Sequence, residues 1–160
     1  MLWEEICADP SLQNLPYKIE LNREGLILMS PAKNRHAIRQ GRIQRILFYL
    51  MGEVGEVFPE CPIQTEEGVK VADVVWVSPE RYQAISKQDI CLIAPEICIE
   101  VLSDSNTTRE MQSKIHQYLA VGAQEVWICD NAGRMQFFSA AGWMVTSQLT
   151  PDFPSSISID

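Results

Sequence analysis

Apolar positions recur with two different periods along this 160-residue chain, and the period predicts most of its elements. From residue 34 to about 51, Ile43, Ile46, Leu47 and Leu50 form the stripe of an amphipathic helix, with Gly52 and Gly55 after it. A second helix opens at Thr107, because Thr107-Thr108-Arg109-Glu110 has capping-box spacing. Met111, Ile115, Tyr118 and Leu119 make its apolar face, and Gly122 is placed to end it. Shorter helices are expected at 2–8, stopped by Asp9-Pro10, and at 79–85. Strand patterns fall at 17–21 and 26–29 around a turn at 22–25. Others fall at 56–58, 61–64, 71–77, 97–102, 126–129, 135–138 and 143–148, with a turn at 130–133. This order predicts an α/β fold of the α+β type: a mixed sheet flanked by helices, in a single domain over residues 1–160.

Two carboxylates interrupt runs that otherwise belong in a core. Asp73 lies in Val71-Ala72-Asp73-Val74-Val75-Trp76-Val77, and Glu100 in Ile97-Cys98-Ile99-Glu100-Val101-Leu102. Each run is short, rich in β-branched residues and without alternation, the pattern of a strand covered on both faces. An ionised carboxylate left there without a partner costs several kcal/mol, about half of a domain's net stability. Two such residues on two core strands suggest that their charge is used. A divalent cation is the simplest shared partner, and Mg²⁺ suits one or two carboxylates completed by water and phosphate oxygens, with Mn²⁺ the alternative. Membership in ordinary ion pairs is the competing reading. Lys114, beside the apolar stripe of the second helix, could carry its ammonium over the sheet edge toward these acids, or simply be solvated. Gln117, one turn on, either joins the same cleft or faces water.

Charge adds one feature. The net charge of −8 argues against indiscriminate nucleic-acid binding. Yet residues 31–52 hold no Asp or Glu and five basic residues, Lys33, Arg35, Arg39, Arg42 and Arg45, so the remainder carries −13. Arg39, Arg42 and Arg45 recur every three residues, either as a phosphate-tracking ridge that binds DNA or as an ordinary solvated face. The five cysteines lack paired spacing, which favours reduced thiols over disulfides or zinc. No apolar run approaches membrane-spanning length, and the acids near the N-terminus do not suit a secretory signal, so a cytoplasmic location is expected.

The stretch Pro95-Glu96-Ile97-Cys98-Ile99-Glu100-Val101-Leu102-Ser103-Asp104-Ser105, followed by Lys114, Tyr118, Gly122 and Glu125-Val126-Trp127-Ile128-Cys129-Asp130, resembles the Uma-two family. These are restriction-endonuclease-like proteins of the PD-(D/E)XK nuclease superfamily. Met29-Ser30-Pro31, Arg35-His36-Ala37 and Val71-Ala72-Asp73-Val74 extend the similarity over roughly residues 17–148. The resemblance implies a restriction-endonuclease-like core with a four-stranded mixed sheet, and metal-dependent hydrolysis of phosphodiester bonds. Carried over by position, Asp73 and Glu100 are the metal-binding catalytic acids, and the Val101 carbonyl is a further candidate ligand. Lys114 matches a catalytic lysine that has moved from the strand to the following helix. His36 matches the family's histidine and is read either as facing the metal cleft or as structural. Glu20 is either an additional carboxylate of the site or an exposed strand residue.

Three positions depart from the family pattern. Ala72 replaces the motif proline, Leu102 stands where the motif lysine is usual, and Leu26 follows the early turn glycine in place of an acid. The expectation is an Mg²⁺-dependent endonuclease acting on duplex DNA as a homodimer. A non-catalytic DNA- or protein-binding module on the same scaffold is the alternative.

Overall fold

The two strongest periodic patterns become the two long helices of a computed structural model, which describes residues 2–31 and 33–160. Helix α1 (Trp3–Ala8) and a 3-10 turn (Pro10–Leu12) precede a hairpin of β1 (Tyr17–Leu21) and β2 (Ile27–Pro31). Then come α2 (Asn34–Met51), β3 (Glu56–Thr65), β4 (Gly68–Val77), α3 (Pro79–Ile85) and β5 (Ile97–Val101). Helix α4 (Thr108–Ala120), β6 (Glu125–Cys129), β7 (Met135–Ser139) and β8 (Gly142–Met144) complete the chain. The capping box of α4 forms in both directions: Glu110 N donates to Thr107 Oγ1 at 3.1 Å, and Thr107 N to the Glu110 carboxylate at 3.3 Å.

Strands β3 to β8 lie side by side in sequence order, and the sheet is mixed, as expected, though six strands wide where the resemblance implied four. All neighbours are antiparallel except β5 and β6. A parallel pair needs a crossover, and α4 supplies it. Both faces are covered. On one, α2 lays Ile43 and Leu47 over Val74, Trp76, Ile97, Ile99, Trp127 and Phe137. On the other, Met111 and Tyr118 of α4 meet Val75, Val77, Cys98, Val126 and Ile128. This double covering explains the unbroken apolar runs of β4, β5 and β6.

Several expected boundaries moved, two of them for reasons visible in the pairing. The segments 56–58 and 61–64 are one strand, because pairing continues past Pro59, opposite Val74, to Cys61, opposite Ala72. The last strand ends at Met144 and not near 148. Beyond it, the amides of Gln148 and Leu149 and the Ser147 hydroxyl donate to the buried Glu125 carboxylate, which also accepts from Trp127 Nε1. Four donors on one buried carboxylate outweigh further edge pairing.

The β1–β2 hairpin is a separate two-stranded sheet packed on β4 over a small cluster of Ile6, Leu21 and Val69. Its close seat requires glycine at the start of β4. Gly68 has φ of 98°, and a Cβ there would fall 2.2 Å from the Leu21 carbonyl oxygen. Among the described residues, no helix is long and apolar enough to cross a membrane.

Candidate active site

The β4–β5 ladder runs through Trp76↔Ile97, Val75↔Cys98 and Val74↔Ile99, and the next residue of each strand is an acid. Asp73 and Glu100 thus sit where the strands cease pairing, and both are buried. Asp73 Oδ2 accepts the Val101 amide at 2.7 Å, which satisfies one donor that the ladder abandons. The Asp73 carbonyl accepts from Gln40 Nε2 at 2.8 Å.

The two acids share one ammonium. Lys18 Nζ, from β1, stands 3.2 Å from Asp73 Oδ1 and 3.2 Å from Glu100 Oε2. Glu100 Oε1 faces the other way, toward α4, and accepts from Tyr118 Oη at 2.6 Å and Lys114 Nζ at 3.3 Å. Lys114 also reaches Glu20 Oε2 at 3.0 Å, and that oxygen accepts the Val71 amide at 2.7 Å. His36 Nε2, near the start of α2, lies 3.3 Å from Asp73 Oδ2. The structure therefore brings Asp73, Glu100, Lys114, Glu20 and His36 into one network. Gln117 lines the same region, but its side-chain oxygen accepts from Thr65 Oγ1 and its amide nitrogen donates to Ser113 Oγ. It is neither solvated nor directed at the acids.

The network floors a cleft of about 870 Å³ between the hairpin, the start of α2 and the start of α4. Tyr17, Leu28 and Met29 give it one partly apolar wall, and Arg109 and Lys70 add cations. Such a volume accommodates a nucleotide-sized group.

A family model described as "Putative restriction endonuclease", Uma2, matches residues 3–149. The chain belongs to the Uma2 family. No curated protein matches it. One solved structure with a similar fold is titled a putative nuclease belonging to DUF820, from Anabaena variabilis ATCC 29413. It has 20% identity and a TM-score of 0.65, over 76% of this chain and 71% of that one.

In this Uma2 chain the charge states follow from burial opposed by partners. Burial disfavours ionised Asp73, but the Lys18 ammonium and the His36 contact hold its carboxyl well below the usual range. Glu20 is likewise held low, with Lys114 and then Lys18 overcoming its burial. Glu100 goes the other way: burial raises it despite both lysines, and the Asp73 charge adds to the rise. Burial opposes charge on Lys18, yet Glu100, Asp73 and Glu20 together raise its pKa. The hydrogen bond with Asp73 raises that of His36.

Whether this Uma2 site suits a metal is tested by its donors. Among the described residues, no group of three or more His, Cys, Asp or Glu side chains is arranged to hold an ion. The oxygens Asp73 Oδ1 and Glu100 Oε2 nevertheless converge on one cation, with the Lys18 ammonium in the role. Two hard carboxylate oxygens at an open cleft fit an ion such as Mg²⁺ that keeps several waters. Lys18 went unnoticed in the sequence. Lys18 and Glu20 are two apart on one strand and so share a face, but that spacing does not say where the face points. Tyr118 read only as apolar stripe, although a buried phenol needs a hydrogen-bond partner.

The arginine ridge is not one surface. Arg39 is buried, Arg42 donates to the Ser158 carbonyl and only Arg45 is exposed. The three-residue spacing winds around α2, so the positions meet different neighbours.

Proposed function

We propose that this protein is a metal-dependent endonuclease that hydrolyses phosphodiester bonds in DNA, with Mg²⁺ as the metal and Mn²⁺ as an alternative. The observation that carries the reading is the convergence of Asp73 and Glu100, from adjacent strands, on one cation position beneath a large open cleft. Membership of a restriction-endonuclease-like family supports it independently.

Asp73 and Glu100 would hold the metal, which when bound polarises the phosphoryl group and lowers the pKa of a water ligand. Lys114, anchored by Glu20 and by Glu100 Oε1, lines the same cleft. Its ammonium is suited to negative charge on the phosphoryl oxygens as the water adds and the P–O bond breaks. His36 contacts Asp73 and stands at the cleft wall, where an imidazole would be suited to proton transfer. Arg109 and Lys70 on the rim supply positive charge to a polyanion.

The test is plasmid nicking with Mg²⁺ or Mn²⁺, comparing the native chain with Asp73→Asn and Lys114→Ala. Both variants should lose at least about a hundredfold in rate, as removal of a positioned charge does in comparable sites. Equal rates in all three would overturn the site.

One observation favours a second reading, a binding module without catalysis: the Lys18 ammonium already occupies the cation position between both acids. A calcium titration separates the two. Binding that vanishes in Asp73→Asn belongs to the enzyme, and no binding by the native chain belongs to the module.

A further inference from the structure

Five carboxylates are buried among the described residues, Glu20, Asp73, Glu96, Glu100 and Glu125, and each has hydrogen-bond or ion-pair partners. One buried cation has none. Arg39 is 8% exposed, its Nε lacks any hydrogen-bond partner, and no ion pair reaches its guanidinium among the described residues. A buried N–H without a partner is costly, and guanidinium is the group best shaped for a phosphate or carboxylate fork.

Arg39 opens into a second, small cleft of about 30 Å³, which adjoins the Asp73–Glu100 network at His36. Its walls are the start of α2, the loop after β5 and the turn after β6, with Lys33, Arg35, His36, Arg39 and Asn131 among its lining residues. The one acid there is Asp104, exposed and paired with Lys33 at 3.1 Å. Three permanent cations against one carboxylate leave the cleft with surplus positive charge. Helix α2 begins at the same place without a side-chain cap, so its first amides are free of that competitor. Gly133 lies beneath, where a Cβ would come within 3.5 Å of Arg39 Nε.

We propose that this cleft is a subsite for a backbone phosphate next to the one undergoing cleavage, with Arg39 donating from below and Lys33 and Arg35 from the rim. The space accommodates about two water-sized groups, which matches the two non-bridging oxygens of a phosphodiester. His36 and Ser103 line both clefts, so a strand can occupy the two together. Arg39 follows His36 by three residues, so the two neighbour one another on α2. The identity of the anion rests on the nuclease reading. The existence of the anion site does not.

The test uses the full chain without metal and inorganic phosphate as the probe, read by thermal shift and calorimetry. Duplex oligonucleotide binding in Ca²⁺, read by anisotropy over a range of salt, follows. Arg39→Met should abolish stabilisation by phosphate. Lys33→Ala and Arg35→Ala are exposed changes that leave folding intact, and each should weaken phosphate binding several-fold. Asp104→Asn should tighten it by releasing Lys33. For duplex DNA, Arg39→Met should lower the salt slope by about one. Phosphate and duplex affinities unchanged across Arg39→Met, Lys33→Ala and Arg35→Ala would overturn the subsite. Phosphate binding that depends on Arg39, together with no duplex binding by any form, would overturn its assignment to nucleic acid and with it the nuclease reading, while leaving an anion site.

Discussion

Tyr118 donates its phenolic proton to Glu100 Oε1 across 2.6 Å, with both side chains enclosed between α4 and the sheet. Burial, and then the Glu100 charge, push the phenol pKa well above its ordinary value, so it remains a donor at any pH the protein survives. The acid that the second strand contributes to the site is therefore fixed from behind by a core residue, which leaves Glu100 Oε2 for the cleft. Tyr118→Phe should keep the packing and remove one charge-assisted hydrogen bond. The expected loss is about 1.5–3 kcal/mol in urea denaturation, and a loss below about 0.5 kcal/mol would mean that the bond contributes nothing.

Lys18 and a divalent cation would compete for the same two oxygens. Replacing Lys18 by Met should therefore have two opposite effects. Without metal, the fold should lose about 3–5 kcal/mol, since two buried carboxylates lose their common counter-charge. With Mg²⁺ or Ca²⁺, calorimetry should show tighter binding than in the native chain. Weaker binding in Lys18→Met would mean that the ammonium assists the ion.

Gly68→Ala should act on the site from a distance. The alanine cannot adopt φ of 98° without strain, and its methyl would collide with the Leu21 and Asn22 backbone. The cost should exceed about 1 kcal/mol. Because the Val71 amide donates to Glu20, its hydrogen-exchange protection should fall before that of the β5 and β6 amides. Uniform loss across the sheet would show that the hairpin and sheet open as one unit.

Thiol reactivity offers a check on the core. Cys7 is exposed, whereas Cys61, Cys91, Cys98 and Cys129 are buried and none forms a disulfide. Burial raises the Cys129 thiol to about 11 and Cys98 well above its usual value. An aromatic disulfide reagent should titrate one cysteine in the native protein and five after denaturation. Two or more fast thiols in the native state would contradict this packing.

The helices and central strands were legible because burial on one or both faces writes a period into the sequence. Asp73 and Glu100 were legible for the same reason, as charged residues in runs that burial should have kept apolar. Lys18 was not, since a lysine on a strand carries no mark of its direction until a partner 55 residues away is placed. The ridge of Arg39, Arg42 and Arg45 divides among different surroundings because spacing says which residues neighbour one another on a helix, and nothing about the segment that covers them. Arg42 meets Ser158, 116 residues on. The end of the last strand depended on Glu125, whose four donors no local pattern announces.

The ammoniums that balance the two acids come from opposite directions along the polypeptide. Lys18 lies 82 positions before Glu100, while Lys114 lies 14 after it. Neighbouring strands can zip together from nearby sequence, but neutrality at their frayed ends must wait for the N-terminal hairpin to dock. Docking of the hairpin thus also completes the centre, and a chain in which it is undocked would keep the sheet but leave Asp73 without its lysine.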